Sequence, residues 1–319
     1  MRLRLVPQET NFDFFRFRNV TMGASLVLMA ASIVLWLVVG LNFGIDFRGG
    51  TSIRTEAVQP IDVGEYRQAV APLGLGEVSI VEVFDPTFAD DQNVAVVSIQ
   101  AQEGEESATA ETVALIKDAL TEVDPSIQFT SVESVGPEVS GELIQTAVIA
   151  VLAALGAILV YIWLRFEWQF SVGAVAALFH DVILTMGMFA LTGFEFNLAT
   201  IAALLTIVGY SMNDTVIVFD RVREEARKYK KLELFKVVDL AINATMSRTL
   251  LTSGTTLLAL LSIFLFGGPV LRGMSFALIF GVVVGTYSSI FVASAVVLLL
   301  GIDRGDKPKR EVEGFQGVG

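Results

Sequence analysis

The sequence predicts an α-helical polytopic membrane protein: six transmembrane helices, with an extracytoplasmic α+β domain of ferredoxin-like order (β-α-β-β-α-β) between the first and second helices. Three observations support this prediction. The mean hydropathy of the 319 residues is +0.64. Six apolar runs approach or exceed the roughly 20 residues that cross a bilayer core. Between the first two runs, the segment 42–142 shows the short strand and helix patterns of a small soluble domain.

The first apolar run is predicted to be an uncleaved membrane helix. It follows a basic N-terminal segment, 1–19, it is longer than the apolar core of a signal peptide, and no small-x-small cleavage site follows it. The six predicted spans are 20–41, 143–164, 170–191, 198–219, 248–267 and 273–300.

The distribution of Lys and Arg predicts which side of the membrane each loop occupies. Of the 22 basic residues, 17 lie on one face of the membrane, counting Arg248 at the start of the fifth span. The positive-inside rule therefore predicts that both termini are cytoplasmic and that residues 42–142 are periplasmic. The segments on the cytoplasmic side are 1–19, 165–169, the basic loop 220–247 and the tail 301–319.

The exported segment carries 19 Asp or Glu residues against four Lys or Arg over residues 41–142. Such a surface is usually a solvated acidic face, and a surface adapted to the charge of a partner is the alternative. The acidity argues against nucleic acid as a partner. Partial alternation predicts the strands and apolar spacing predicts the helices. In chain order they are strand 51–58, helix 62–72, strands 77–84 and 93–101, helix 106–123 and strand 126–133.

The fourth span contains an acidic residue, Asp214, next to Asn213. A charge at mid-membrane costs roughly 2.5–3.5 kcal/mol on insertion scales, so a buried ionisable residue predicts a functional site. Arg248 begins the fifth span from the same side, and an Asp–Arg pair would satisfy both charges. The pair would either fasten two helices together or let small helix movements decide the protonation state of Asp214.

His180 and Asp181 are adjacent near the middle of the third span, and His180 is the only histidine. They are predicted to form an interhelical hydrogen-bonded pair or a second element of a proton path. Because no further ligand stands at useful spacing, no metal site is expected. No cofactor is expected either. The chain has no GxxxxGK[ST] loop and no Ser/His/Asp arrangement, which excludes a P-loop ATPase and a serine hydrolase. Further polar candidates in or near the fourth span are Ser211, Thr215 and Asp220.

The first span is followed by the segment FGIDFRGG, in which Asp46 and Arg48 precede Gly49 and Gly50. The paired glycines predict a tight turn that leads the chain into the first strand, with the two charged residues at the membrane border.

These residues resemble the SecD/SecF family of the bacterial protein-export machinery, within the resistance-nodulation-division superfamily. The resemblance extends over nearly the whole chain, and the size of the exported segment matches the SecF branch, since SecD would carry a much larger one. The most specific segments are Phe43–Gly50, Val135–Pro137, Ala177–Val182 and Gly209–Glu224.

The resemblance implies a pairing with SecD into a twelve-span unit in the bacterial cytoplasmic membrane. It further implies association with the SecYEG channel and, through the complex, with YajC and SecA. The unit would use the proton-motive force to draw unfolded preprotein outward, and Asp214 and Arg248 would belong to its proton-transport site, beside Asn213.

Two other functions stay open on the sequence. A half-size exporter of small molecules or lipids would require an apolar pocket in the exported domain. An assembly subunit, whose membrane charges only hold partners together, would tolerate shape-conserving neutral changes at Asp214. The coupling ion, proton or sodium, is open as well.

Overall fold

The computed structural model of the protein describes residues 10–76, 78–83, 89, 92–100 and 110–302. In chain order the elements are α1 (Arg18–Val38), α2 (Ile45–Arg48), β1 (Gly50–Ala57), α3 (Val63–Val70), β2 (Val78–Val83), β3 (Asn93–Ile99), α4 (Ala110–Val123), β4 (Gln128–Val135), α5 (Pro137–Arg165), α6 (Trp168–Thr192), α7 (Leu198–Lys228), α8 (Leu234–Phe266), α9 (Pro269–Ser288), a π-helical turn (Ser289–Ala293) and α10 (Ser294–Leu300).

The described residues include six helical spans long and apolar enough to cross a membrane, which confirms the predicted fold class. The spans are α1, α5, α6, α7, α8 and the continuous run from α9 through α10. Helices α6 and α7 and the sixth span are the most buried, whereas α1, α5 and α8 lie mostly at the periphery.

The domain between α1 and α5 is named the exported domain after its predicted location, and it has the predicted order of strands and helices. Its four strands form one antiparallel sheet in the order β2-β3-β1-β4, as expected for a ferredoxin-like domain. Alternate strand residues and the apolar sides of α3 and α4 form its core, which includes Ile53, Tyr66, Val97, Ile116 and Leu120. Positions 77, 84, 101 and 106–109, at the ends of predicted elements, lie outside the described residues.

The segment predicted as a basic loop, 220–247, is mostly helical. Helix α7 continues to Lys228 and α8 already begins at Leu234. The charges of this segment do not end the helix, because Arg221 forms ion pairs with Glu224 and Glu225 one turn away.

The early start of α8 has a second cause in tertiary packing. Asn243 accepts a hydrogen bond from the backbone N–H of Phe12 at 2.9 Å and donates one to its carbonyl at 2.9 Å. The carboxylate of Asp239 accepts from the backbone N–H of Phe14 at 3.1 Å. The chain before α1 is thereby held against the first turns of α8.

Two apolar clusters fill the helical bundle, one near each end. The cluster nearer the exported domain includes Leu41, Phe189, Phe196, Ile207 and Ala277. The other lies where α5 ends and α7 leaves the membrane, and it includes Ile162, Phe166, Phe170, Phe219 and Val222.

Helices α1 and α6 are in close contact at Gly187. A Cβ atom there would lie 2.7 Å from the Cα of Ser32, a backbone atom that cannot rotate away. We therefore expect Gly187→Ala to destabilise the protein by about 1–3 kcal/mol through overpacking. Thermal unfolding in detergent would measure this effect. Gly254→Ala on α8 is the matched control, because no atom lies within 4 Å of its added Cβ. Equal unfolding temperatures for the two variants would contradict the prediction.

Candidate functional site

A buried hydrogen-bond network centred on Asp181 joins three helices in the middle of the bundle. Its Oδ2 accepts hydrogen bonds from the hydroxyls of Ser211 on α7, at 2.5 Å, and of Ser288 on α9, at 2.8 Å. Its Oδ1 lies 2.9 Å from Nδ1 of His180. All four side chains are buried, so both acceptor oxygens of the carboxylate are satisfied inside the protein.

Asp214 lies on α7 one turn beyond Ser211 and is also buried, with 1% of its surface exposed. In contrast to Asp181, its Oδ2 has no hydrogen-bond partner within the described part of the chain. A buried, incompletely bonded carboxyl group is costly, and such groups concentrate where protons or ions are handled.

The sequence left open whether Asp214 and Arg248 are in contact, and in the structure they do not form a direct ion pair. No ion pair within 4 Å joins them in the part of the chain that the structure describes, and Arg248 is exposed on the outer side of α8. Arg248 nevertheless lies near enough for its charge to act on Asp214 electrostatically. Asn213 is likewise exposed, because successive residues on a helix point in directions about 100° apart.

The secondary candidates separate into two groups. His180, Asp181 and Ser211 meet in the network, and Thr215 bonds to the carbonyl of Ser211 at 2.9 Å. Asp220 lies apart from them. It accepts two hydrogen bonds from Arg165, at 2.9 and 3.0 Å, in an exposed ion pair between α7 and the end of α5.

Sequence reasoning missed the contribution of the sixth span. Ser288 donates a hydrogen bond to Oδ2 of Asp181, and Tyr287 stacks on His180 with ring centroids 5.9 Å apart. The Tyr287 hydroxyl in turn donates to the carbonyl of Thr21 on α1 at 3.0 Å. The polar run Thr286–Ser289 inside an apolar span is the signal that would have identified these residues. A π-helical turn begins there, and π-turns are frequent at functional sites.

The predicted turn at Gly49 and Gly50 is present and requires glycine at both positions. Their φ angles are +69° and +118°, a region that L side chains rarely adopt. A Cβ atom on Gly49 would also lie 3.4 Å from the Cα of Pro137, at the start of α5. The turn therefore places the beginning of β1 directly against the beginning of α5.

Asp46, just before this turn, binds the end of the helix that carries Asp214. Its Oδ2 accepts a hydrogen bond from the backbone N–H of Leu198, the first residue of α7, at 3.0 Å. Its carbonyl accepts from the hydroxyl of Ser140 on α5 at 2.7 Å. A carboxylate at a helix N-terminus satisfies an orphan N–H and is favoured by the helix dipole.

Further contacts join the segment after α1 to the α6–α7 loop, and this region is called the junction. The backbone N–H of Gly44 donates to the carbonyl of Phe196 at 3.0 Å, and the N–H of Phe196 donates to the carbonyl of Asn42 at 2.7 Å. The rings of Phe43, Phe47 and Phe196 pack together with centroids 5.8–6.0 Å apart. The segment after α1 and the α6–α7 loop therefore form one tightly bonded unit.

A cavity of about 460 Å³ lies between the open face of the sheet and this junction. Its lining combines charged side chains with apolar ones, and the charged residues are Arg48, Arg54, Glu133, Glu195 and Arg272. Partial desolvation, with repulsion from Asp46 and Glu133, raises the pKa of Glu195. Desolvation, with repulsion from Arg272, lowers the pKa of Arg54.

Two family descriptions match the chain. "Protein export membrane protein SecD/SecF, C-terminal" covers residues 115–303, and "SecD/SecF GG Motif" covers residues 34–61. The second match contains the turn at Gly49 and Gly50 and the junction residue Asp46. Together the two matches include both the exported junction and the buried polar residues of the bundle.

The chain is similar to proteins named protein translocase subunit SecF. It is 58% identical to the one from Cereibacter sphaeroides over 99% of this chain and 97% of that protein. It is 55% identical to the one from Rhodobacter capsulatus over 98% and 96%, respectively. The similarity in both cases therefore extends from one end of the chain nearly to the other.

Two solved structures of SecDF share the fold. A crystal structure of SecDF from Thermus thermophilus, described as a translocon-associated membrane protein, matches with a TM-score of 0.83 and 36% identity over 94% of this chain. SecDF in a super-membrane-facing form matches with a TM-score of 0.66 and 37% identity over 93%. The chain spans 40% and 39% of those two longer chains.

Proposed function

We propose, from the fact that this chain belongs to the SecD/SecF family of protein-export membrane proteins, that it couples the proton-motive force to the outward movement of preproteins. The observation that carries the proposal is the joining of two features by one helix. Helix α7 contains the buried, incompletely bonded Asp214, and its first residue is bonded to Asp46 at the base of the exported domain.

The geometry of α7 supports a mechanical connection between the two ends. Asp214 lies 16 residues from Leu198, which at 1.5 Å per residue is about 24 Å along a continuous helix. A gain or loss of a proton at Asp214 changes the preferred surroundings of this carboxyl group. A resulting shift or rotation of α7 would be delivered directly to Asp46 and to the turn at Gly49 and Gly50.

The energy available is sufficient for such a movement. One elementary charge that crosses 100 mV releases about 2.3 kcal/mol. Because about 1.4 kcal/mol corresponds to a factor of ten, this energy shifts a two-state equilibrium by more than tenfold. The two SecDF structures match nearly the same share of the chain with different TM-scores, which is consistent with a shared fold that has more than one arrangement.

The outer surface of α7 and α8 supports SecD as the direct partner. Small or polar residues are exposed there within predicted spans, which is unfavourable against lipid and favourable for close helix packing. Arg248 in particular requires a polar or acidic neighbour that this chain does not supply within 4 Å among its described residues. The exposed positions are Ala202, Thr206, Gly209, Asn213, Arg248 and Thr255.

The same proposal includes further partners and an orientation in the membrane. The pair with SecD associates with the SecYEG channel, meets YajC and SecA through that complex, and acts on unfolded preprotein as it emerges. The excess of Lys and Arg on one face orients the chain with both termini in the cytoplasm and residues 42–142 in the periplasm.

Inverted membrane vesicles with a preprotein arrested midway in translocation test this function. After removal of ATP, an imposed proton gradient is expected to complete translocation in vesicles that contain this chain with SecD and to fail in vesicles without it. A protonophore is expected to abolish the effect and a sodium ionophore to leave it unchanged. Equal completion with and without the chain would contradict the proposal.

A further inference from the structure

A second cavity, about 510 Å³ in volume, lies where α5 ends and α7 leaves the membrane, far along α7 from the exported domain. Its lining is wholly charged: Arg165, Asp220, Arg223, Glu224, Arg227 and Lys228. Nothing in the proposed coupling of Asp214 to the exported domain uses this cavity.

The carboxylates at this cavity are largely engaged by other groups. Asp220 forms its two hydrogen bonds with Arg165. Glu224 binds Arg221 at 2.7 Å, a residue that does not line the cavity. Glu225, which does not line the cavity, forms a long ion pair with Lys228, with 3.9 Å between Oε2 and Nζ.

Two arginines of the cavity are left without a carboxylate within 4 Å in the described part of the chain. Arg223 donates from Nη1 to the carbonyl of Arg165 at 3.3 Å and lies over the ring of Phe166, while its Nε is buried with no partner among the described residues. Arg227 is exposed, and no described residue forms an ion pair with it.

The spacing of these two arginines is unfavourable in an isolated helix. Arg223 and Arg227 are four residues apart on α7, so their guanidinium groups project from one side of the helix and repel each other. A bound anion would remove the repulsion and would supply the acceptors that the two side chains lack. Guanidinium groups bind phosphate through paired N–H donors, which makes an anion with phosphate oxygens the natural fit.

The surroundings of the cavity place it at the level of lipid headgroups. Trp163, Leu164 and Trp168 are exposed at the end of α5 and the start of α6, beside the cavity. Exposed Trp residues at the ends of membrane helices mark the interface between hydrocarbon and water. Helix α5, which ends at the cavity, is peripheral to the bundle, as expected for a helix that faces lipid.

We propose that this cavity binds the phosphodiester headgroup of an anionic phospholipid, with Arg223 and Arg227 as the principal ligands. The neutralised Arg165–Asp220 pair lies at the edge of the cavity and is not a ligand of the headgroup. Basic pockets between membrane helices are known sites for acidic headgroups. The inference depends only on the placement of the six spans in a membrane and is independent of the role of Asp214.

Native mass spectrometry of the purified full-length chain, titrated with phosphatidylglycerol or phosphatidylcholine, tests the site. We expect retained phosphatidylglycerol, little phosphatidylcholine, and at least a fivefold loss of phosphatidylglycerol in the double variant Arg223→Gln/Arg227→Gln. The matched control is Lys230→Gln/Lys231→Gln, which removes the same charge just beyond the end of α7 and is expected to retain the lipid.

Arg227→Gln alone provides a test that does not depend on the partly buried Arg223, and it is expected to lose at least half of the bound phosphatidylglycerol. Unchanged retention in both arginine variants would overturn the proposal, as would an equal loss in the lysine control. Displacement of the lipid by inorganic phosphate at a similar concentration would overturn it too, since the site would then be a simple anion site.

Discussion

Asp214→Asn is expected to lower proton-driven preprotein export at least tenfold while the chain stays bound to SecD. The substitution preserves the shape of the side chain and adds a donor, so the packing around α7 is maintained. It removes the only feature of this position that responds to protons. Export would be measured in cells depleted of their own copy of this subunit, and a pull-down would show whether SecD is retained.

Asp220→Asn is the matched control for this experiment. It changes the same residue type on the same helix, but Asp220 is half-exposed and bonded to Arg165. Because an exposed ion pair contributes at most about 1 kcal/mol, we expect near-normal export. Normal export with Asp214→Asn would reduce Asp214 to a structural residue. Loss of SecD with Asp214→Asn would favour an assembly role for the buried charge.

Asp46→Ala is expected to reduce export several-fold without preventing proton uptake. The change removes the acceptor of the Leu198 N–H and the carboxylate at the N-terminus of α7, so movement of this helix is no longer transmitted to the turn at Gly49 and Gly50. The collapse of an imposed pH gradient, followed with a dye in the same vesicles as translocation, would separate the two effects. Asp46→Asn keeps an oxygen acceptor and should retain part of the activity.

Asp62→Ala controls for the loss of stability in this test. Asp62 is also an aspartate that accepts backbone hydrogen bonds at a helix N-terminus, from Gly64 and Glu65 at the start of α3. Its removal should cost about 1 kcal/mol, as for other N-caps, but it lies away from the junction. Equal loss of export in Asp46→Ala and Asp62→Ala would show that stability, and not transmission, explains the defect.

The features that depend on local sequence were predictable. The six spans follow from the length of apolar runs, and the turn at Gly49 and Gly50 follows from two glycines where the chain needs positive φ. The order of strands and helices in the exported domain follows from the alternation of its apolar residues. Each of these features is decided by residues close together in the chain.

The contacts between helices were less predictable, because they depend on how each helix is rotated about its axis. The sequence could not fix the distance between Asp214 and Arg248, and in the structure α8 presents Arg248 outward. Asp181 was recognised, whereas Ser288, which completes its hydrogen bonds, lies 107 positions away. No local pattern reveals that these residues meet.

The exported sheet is attached to the membrane helices along one side only. Strand β1 follows the turn at Gly50, and β4 leads into α5, so both connections enter at adjacent strands. Strand β2 is three strand spacings from β4, roughly 14 Å at about 4.8 Å per strand. The sheet is therefore supported on one side, and its free edge, strand β2, lines the cavity of about 460 Å³. A rotation of 10° at its base would move that edge by roughly 2.5 Å over this span, so a small rotation at the base is amplified at the edge strand farthest from β4.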